Sequence, residues 1–382
     1  MGNLLDCSAK LWMQKYTKKI ASSTGFENIQ ANRISLDSNS TTMKIRFGII
    51  GFGRFAEKAI LPAFRSAQNA ELVAIHRRTA DAARESADRW SVPHGCGTVE
   101  ELLALPNLDA VFILSPNAFH APHTIASARA GKHVLVEKPM AIHAEEARTM
   151  IDVCRKEGVR LMVGHMVRFS PVIRRMRELV AGGSIGTPVH GRSEFVYDGS
   201  LSTRSWLLDR RIAGGGPVVD IGVHCLDTLR YVLDDEVVKV QSILEPEGTT
   251  DTVEETAQLL LRFSRGTLGS VYCSYRSAIR SSSIEILGSE AILSTENFTV
   301  GNRVAALRIV RKGPNGSEER FEESFDVPDL YEREITHFSE CILNDSEPMT
   351  GGGNGLVNQL ILDAALGTDA GEFRKEQTRR RP

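Results

Sequence analysis

Three ionisable side chains recur at helical spacing in an otherwise apolar stretch of the chain. Asp220, His224 and Asp227 stand at i, i+4 and i+7, so a helix would place them on one face. Burying three such groups is costly unless they have partners or a function. A polar stripe facing solvent is the alternative, but the glycine triplet at 214–216 and the apolar character of residues 218–226 favour a pocket.

A lysine at the end of a predicted strand is a further candidate. Lys138 follows the apolar run at 133–137, and doubly wound sheets place ligands at the carboxyl ends of their strands. An ammonium group there can polarise a hydroxyl or carbonyl oxygen, whereas a lysine facing solvent would have no such role. Oxidation of a secondary alcohol also needs a base, and histidine suits that task near neutral pH. We predict that His224 is the base, that Lys138 stabilises the developing alkoxide, and that Asp220 orients its neighbours or binds a substrate hydroxyl.

A glycine turn between a predicted strand and a predicted helix indicates a nucleotide site. The segment GFGRFA at residues 51–56 follows an apolar run at 44–50 and precedes an amphipathic stretch that continues to about residue 67. Such a turn presents unpaired backbone N–H groups and the positive end of a helix dipole, which together suit a diphosphate. The motif is weak alone, but its position between strand and helix favours a dinucleotide site over a generic turn. The residues predicted to contact the cofactor here are Gly51, Phe52, Gly53, Arg54 and Phe55.

The end of the second predicted strand bears on the choice of cofactor. Proteins that prefer NAD usually carry an Asp or Glu there for the ribose 2′-hydroxyl, but this chain has His76, Arg77 and Arg78. Guanidinium groups can bind a 2′-phosphate that a carboxylate would repel. The sequence therefore favours NADP, with NAD as the alternative if the two arginines only face solvent.

The order of predicted elements indicates the fold class. Apolar runs at 44–50, 71–76, 110–114, 133–137 and 159–163 alternate with helical segments, which predicts an α/β domain with a Rossmann-type doubly wound parallel sheet. After about Gly164 several strand candidates follow one another through short turns. That pattern predicts a C-terminal α+β domain with a largely antiparallel open sheet.

The length and the charge of the chain limit its domain organisation and its possible binding partners. A chain of 382 residues is longer than one hydrophobic core usually serves, so we predict a dinucleotide-binding domain at 43–165 and a domain for substrate binding and oligomerisation at 166–382. Residues 1–42 are polar and are predicted to be a disordered extension. A net charge of −2 without a basic patch argues against nucleic-acid binding. Without a bilayer-length apolar run or a secretory signal, we expect no membrane association and a cytoplasmic location.

Three segments resemble motifs of the Gfo/Idh/MocA family, named after glucose-fructose oxidoreductase, inositol dehydrogenase and rhizopine catabolism. They are GKHVLVEKP at 131–139, SPNAFH at 115–120 and GGGPVVDIGVHCLD at 214–227. With the glycine turn, the similarity runs from about residue 43 to residue 366 in the family's order and spacing. The resemblance implies an NAD(P)-dependent oxidoreductase that transfers a hydride between nicotinamide and a sugar, inositol or related polyol.

The resemblance also implies roles for individual residues. It supports Lys138, Asp220 and His224 as the catalytic set, although the member that moves the proton varies among relatives. The family's precedent further suggests a homodimer or homotetramer joined through the open sheet. The resemblance assigns Ser115, Asn117, His120, Glu137 and Lys138 to the cofactor site, and Arg168, Trp206 and Asp227 to substrate contacts.

Other functions remain open at this point. Some relatives oxidise a glycoside transiently and cleave it, which would make this protein an NAD-dependent hydrolase. A catalytically silent NADP-binding regulator is a second alternative, against which the intact catalytic set argues. A metal site is a third reading of the His and Asp cluster. The remaining histidines occur singly and no HExxH or Cys/His set is present, so we predict no metal.

Overall fold

A computed structural model describes residues 43–247 and 252–368. The predicted N-terminal extension at 1–42 lies outside the described residues. Two sheets organise the described part of the chain, and helices at its C-terminal end return from the second sheet to the first.

The first sheet has six parallel strands in the order β3-β2-β1-β4-β5-β6, which is a doubly wound arrangement. Three neighbouring strands are buried on both faces: every residue of β4 and of the edge strand β6, and all but the first of β5, is buried. This explains why they read as continuous apolar runs in the sequence. The strands are β1 Ile45–Ile50, β2 Ala70–His76, β3 His94–Cys96, β4 Ala110–Ile113, β5 His133–Glu137 and β6 Leu161–Gly164.

Helices connect these strands, and two of them begin at threonine caps. Thr79 accepts a hydrogen bond from the backbone N–H of Ala82, and Thr98 forms a reciprocal capping box with Glu101. The helix after the glycine turn begins at Arg54 and contains a π-helical segment, Ala56–Ile60, before α1. The helices are α1 Leu61–Ser66, α2 Ala80–Trp90, α3 Val99–Leu103, α4 His120–Arg129 and α5 Ala144–Lys156.

The second sheet has eight strands in the order β14-β13-β12-β11-β7-β10-β9-β8. All neighbours are antiparallel except β7 and β10, which pair in parallel. The predicted fold class, a parallel Rossmann sheet followed by a largely antiparallel open sheet, is therefore confirmed. The strands are β7 Pro188–Asp198, β8 Val237–Glu245, β9 Thr256–Phe263, β10 Leu268–Ser274, β11 Arg276–Gly288, β12 Ala291–Glu296, β13 Arg303–Lys312 and β14 Glu318–Val327.

Helices cover one face of the second sheet, and the last two cross to the first. The ring of Phe338 lies 6.2 Å from that of Phe47 in β1, and the carboxylate of Asp363 accepts a 2.7 Å hydrogen bond from the backbone N–H of Ala144. Residues late in the chain therefore support the first sheet, whose strands lie between residues 45 and 164. The helices are α6 Pro171–Ala181, α7 Arg210–Ala213, α8 Val223–Leu233, α9 Leu330–Leu343 and α10 Gly352–Leu366.

Several strands were not identified from the sequence. β3 has only three residues, one of them Gly95, so it carries too little periodicity to be recognised. β7, β12, β13 and β14 alternate apolar with polar or charged residues and are half-exposed, which weakens the apolar signal. None of the helices in the described ranges combines the length and apolar character that a bilayer crossing needs.

Candidate active site

The turn after β1 has the backbone geometry of an anion-binding loop. Gly51 has a φ of +91°, and a Cβ atom there would lie 2.7 Å from the backbone nitrogen of Ser115. A Cβ atom on Gly53 would meet no atom within 4 Å, so the loop is open on that side. The helix begins at Arg54 and directs backbone N–H groups towards this opening. The residues present therefore fit the diphosphate of a dinucleotide.

The side chains of this turn point in different directions. Phe52 is 2% exposed, and its backbone N–H donates a 2.9 Å hydrogen bond to the carbonyl of His76. It therefore holds the turn against β2 instead of offering a donor to a ligand. Arg54 and Phe55 are exposed, and the Phe55 ring lies 5.6 Å from that of Tyr331 on α9.

The two arginines at the end of β2 differ in their surroundings. Arg77 donates a 2.6 Å hydrogen bond from Nη1 to the hydroxyl of Ser86 on α2. Arg78 is exposed. Arg78 is therefore the better placed of the two to reach a bound ligand.

The predicted cofactor residues after β4 join neighbouring loops. The ring of His120 contacts the carbonyl oxygens of Pro139 at 2.8 Å and Ser115 at 2.9 Å, and burial lowers its pKa to about 4. Asn117 donates a 2.8 Å hydrogen bond to the carbonyl of Ala213, which belongs to α7. These side chains position the loops around the opening, and both are buried.

Lys138 and Asp220 meet between the two sheets. Lys138 follows β5 in the first sheet, and its ammonium donates to the carbonyl oxygen of Asp220 at 2.6 Å and lies 3.4 Å from carboxylate Oδ1. Asp220 belongs to a π-helical segment, Val218–Gly222, that leads into α8. Glu254 fixes the start of this segment. Its carboxylate accepts hydrogen bonds from the backbone N–H groups of Gly216 at 2.9 Å and Val218 at 3.1 Å.

Three further side chains, none of them identified from the sequence, converge on Asp220. The hydroxyls of Tyr197 and Tyr275 donate to Oδ2 at 2.9 Å and 3.1 Å. Arg204 reaches both carboxylate oxygens, at 3.4 Å and 3.3 Å. Burial opposes ionisation of Asp220, but Arg204, Lys138 and the Tyr197 hydroxyl outweigh it and hold the pKa of Asp220 below its usual range. Asp220 is therefore an ionised anchor for Lys138.

His224 lies on α8, one turn after Asp220, and is 8% exposed. Within the described residues its Nδ1 atom is buried without a hydrogen-bond partner, so Nε2 is the nitrogen left to exchange a proton with a substrate. Burial, and then the charge of Lys138, lower the pKa of His224 well below its usual value. His224 is thus neutral near pH 7 and able to accept a proton.

Two of the predicted substrate residues form a buried ion pair behind His224. Arg168 donates to both carboxylate oxygens of Asp227 at 2.8 Å, and the amides of Asn354 and Asn358 donate to Oδ1 at 3.0 Å and 2.8 Å. His165 lies 3.8 Å from the other oxygen. Oδ1 of Asp227 thus accepts three hydrogen bonds and Oδ2 accepts one, and the residue is 1% exposed. The substrate contact of Asp227 stays a prediction.

Trp206, the third predicted substrate residue, lies in the 3₁₀ segment Ser205–Leu208 and is half-buried. The Arg204 guanidinium stands 5.9 Å from the centre of its ring. This connects Trp206 through Arg204 to Asp220. No signal in the sequence identifies Arg204, Tyr197 and Tyr275 together, because they belong to separate elements whose approach to Asp220 is set by the fold and not by spacing along the chain.

Comparison with known proteins identifies the family. Residues 45–165 match the model described as "Oxidoreductase family, NAD-binding Rossmann fold", and residues 173–294 match that of the "GFO/IDH/MocA C-terminal domain". The chain belongs to the Gfo/Idh/MocA family. The resemblance stated from its motifs is therefore confirmed, and so is a Rossmann domain that binds NAD(P).

Among its relatives is the 1,5-anhydro-D-fructose reductase of Ensifer adhaerens, 30% identical over 81% of this chain and 92% of that protein. The D-xylose 1-dehydrogenase [NADP(+)] of Haloarcula marismortui is 31% identical over 84% of this chain and 90% of its own. A crystal structure of an aldose-aldose oxidoreductase from Caulobacter crescentus superposes with a TM-score of 0.76 at 26% identity, covering 87% of this chain and 98% of the other.

Within the described ranges of this Gfo/Idh/MocA protein, no group of three or more His, Cys, Asp or Glu residues could hold a metal ion. The expectation that the protein uses no metal stays a prediction.

We expect Asp227→Asn to destabilise the protein strongly, because it leaves the Arg168 guanidinium buried without its counter-charge. The expected loss is about 3 to 5 kcal/mol in the free energy of unfolding, measured by urea denaturation at pH 7. Burial opposes ionisation of Asp227, but Arg168 and His165 outweigh it and lower its pKa. This stabilisation is therefore present above the ordinary carboxyl pKa and is lost in wild type as the pH falls below about 4.

The matched control is Asp152→Asn, which removes a carboxylate from an exposed pair with Arg155. It should leave the unfolding free energy unchanged within error. Equal free energies of unfolding for the two variants would show that the buried pair of Arg168 and Asp227 does not stabilise the fold.

Proposed function

We propose that this protein is an NADP-dependent dehydrogenase or reductase that interconverts a secondary alcohol and a carbonyl group on a sugar, inositol or related polyol. The substrate class is suggested by the relatives, which include a 1,5-anhydro-D-fructose reductase and a D-xylose 1-dehydrogenase. The observation that carries the proposal is the pairing of Lys138 with ionised Asp220, beside neutral His224, at the carboxyl end of β5.

In this proposal the nicotinamide ring supplies or accepts the hydride. Lys138 has two contacts to Asp220, and its remaining proton is free to bind the reacting oxygen and to stabilise negative charge on it. His224 takes the hydroxyl proton at Nε2 during oxidation and returns it during reduction. The buried pair of Arg168 and Asp227 holds His165 and α8 in place behind His224, and Trp206 forms a wall for the sugar.

The carboxylate of Asp220 is held in one orientation in the site that the substrate's hydroxyls would enter. Tyr197, Tyr275 and Arg204 hold Asp220 in one orientation, so Asp220 has no freedom to act as the mobile base. This supports His224 as the proton carrier and Asp220 as a positioning residue. The lowered pKa of His224 keeps its imidazole in the neutral form at neutral pH, where it can accept a proton.

A second copy of the chain is proposed to cover the open face of the second sheet. That face exposes apolar side chains among polar ones, with Leu268 at 55%, Leu260 at 53% and Ile243 at 73% exposure. Exposed apolar side chains on neighbouring strands are a feature of association surfaces. That the protein forms a homodimer or homotetramer stays a prediction. Its location in the cytoplasm also stays a prediction.

The proposal is tested by assaying the protein with NADPH or NADP⁺ against a panel of aldoses, ketoses, anhydro sugars and inositols. We expect kcat to fall by about 10²- to 10⁴-fold in His224→Gln, with the dissociation constant of NADPH changed less than severalfold. His190→Gln, a histidine on the second sheet in β7, is the control and should keep wild-type kcat. A wild-type protein without turnover on the whole panel, or a fully active His224→Gln, would contradict the proposal.

The preference for NADP is tested separately with Arg78→Ala. If the guanidinium binds the 2′-phosphate, the dissociation constant of NADPH should rise about 10- to 100-fold, the loss expected for one charged hydrogen bond, while that of NADH stays unchanged. Arg84→Ala, an exposed arginine on α2 that pairs with Asp81, should alter neither. Equal weakening of both nucleotides by Arg78→Ala would argue against the assignment. Fluorescence titration measures all of these constants.

A further inference from the structure

Strand β11 carries a bulge next to the two tyrosines that hold Asp220. In the antiparallel pair of β7 and β11, the four β11 residues at 277–280 lie opposite the single residue Tyr197. Tyr275 directly precedes β11. The hydroxyls of Tyr197 and Tyr275 both donate to the carboxylate of Asp220. The bulge is therefore anchored beside the candidate active site, where bulges commonly redirect a side chain.

Ser277 fixes the conformation of the bulge. Its hydroxyl donates a 2.8 Å hydrogen bond to the carbonyl of Ile279 and accepts a 3.3 Å hydrogen bond from the backbone N–H of the same residue. Such local side-chain bonds hold the backbone in a turn instead of a regular strand. The next residue, Arg280, therefore leaves the bulge in a defined direction.

The Arg280 side chain lies over an aromatic ring of the site. Its guanidinium carbon stands 5.1 Å from the centre of the Phe195 ring. The Phe195 ring lies 6.2 Å from the imidazole of His224 and 6.3 Å from the ring of Tyr197. One aromatic ring thus separates the positive charge of Arg280 from the proposed proton carrier.

Arg280 has no carboxylate partner in the part of the chain that the structure describes. It is exposed, and it forms neither an ion pair nor a hydrogen bond with another described residue. Arg276, at the start of the same strand, differs because its guanidinium lies 3.8 Å from the carboxylate of Glu255. A contact with a ring face leaves the N–H donors of a guanidinium unused. Arg280 can therefore donate hydrogen bonds to a ligand.

The charged groups of the site leave an excess of positive charge when Arg280 is included. Lys138 and Arg204 share the carboxylate of Asp220. Glu137 adds a second carboxyl beside Lys138. Even with both carboxyls ionised, three cations face two anions across these five residues. A site with excess positive charge favours a negatively charged ligand over a neutral one of the same shape.

We propose that Arg280 binds a phosphate or carboxylate group that the substrate carries away from its reacting carbon, so that the protein acts on an anionic sugar or polyol. The inference rests on the proposed function, which places the reacting carbon beside Lys138 and His224. A guanidinium binds either kind of anion through two parallel hydrogen bonds. Phe195 holds the plane of the guanidinium while it does so.

Matched substrates test this inference: glucose with glucose 6-phosphate and glucuronate, and myo-inositol with an inositol monophosphate, each assayed with NADP⁺. In wild type we expect a higher kcat/KM for an anionic member than for its neutral partner. Arg280→Gln should lower that ratio about 10- to 100-fold, the loss expected for one charged hydrogen bond. The relative loss with glucose 6-phosphate and with glucuronate shows which anion the guanidinium fits.

Arg276→Gln is the matched control, because it removes an exposed cation from the same strand, and it should keep the wild-type ratio. A preference for the neutral member in every pair, or an unchanged ratio in Arg280→Gln, would overturn the proposal.

Calorimetry separates this inference from the proposed function, because binding of the same compounds to the complex with NADPH needs no turnover. Tighter binding of an anionic member, lost in Arg280→Gln, would support the inference even if no compound were oxidised. Equal binding of anionic and neutral members would overturn it even if polyols were oxidised. Weaker binding of NADPH itself to Arg280→Gln would assign the guanidinium to the cofactor's diphosphate and would also overturn it.

Discussion

The ion pair between Lys138 and Asp220 is the interaction on which the site depends, because it joins the two sheets at one point. Lys138 directly follows β5 of the parallel sheet, and Asp220 lies in the segment Val218–Gly222 that leads into α8 over the antiparallel sheet. A charge buried at such a junction has to be compensated or it would destabilise the fold. The packing of the two sheets and the chemistry of the site are therefore set by the same contact.

Compensation of buried charge accounts for most of the polar side chains around this junction. Asp220 is satisfied by two tyrosines, an arginine and Lys138, and Asp227 by Arg168 and two amides. Both carboxylates are thereby kept ionised. His224 lies on the same helix between them but has no such compensation, so burial keeps it neutral. Asp220 and Asp227 are fixed anions because they have buried partners, and His224 is a neutral base because it has none of this kind.

Local signals in the sequence were enough to predict the parallel sheet and the glycine turn, and they selected Lys138 and Asp220, which the fold brings into contact. The largely apolar strand β5 directly precedes Lys138, and Asp220 and His224 lie in one apolar segment. The partners of Asp220 could not be predicted, because strand alternation shows which residues share a face but not which strand end comes near another segment.

The most direct test of the account is the single-turnover rate of hydride transfer in Asp220→Asn, with NADP⁺ and a polyol that the wild-type protein oxidises. The amide keeps the size of the side chain but removes the charge that anchors Lys138. We expect the rate to fall by about 10²-fold or more, as for loss of a preorganised electrostatic group, with NADP⁺ affinity unchanged within severalfold. A wild-type rate in Asp220→Asn would contradict the account, because Lys138 would then need no anchor.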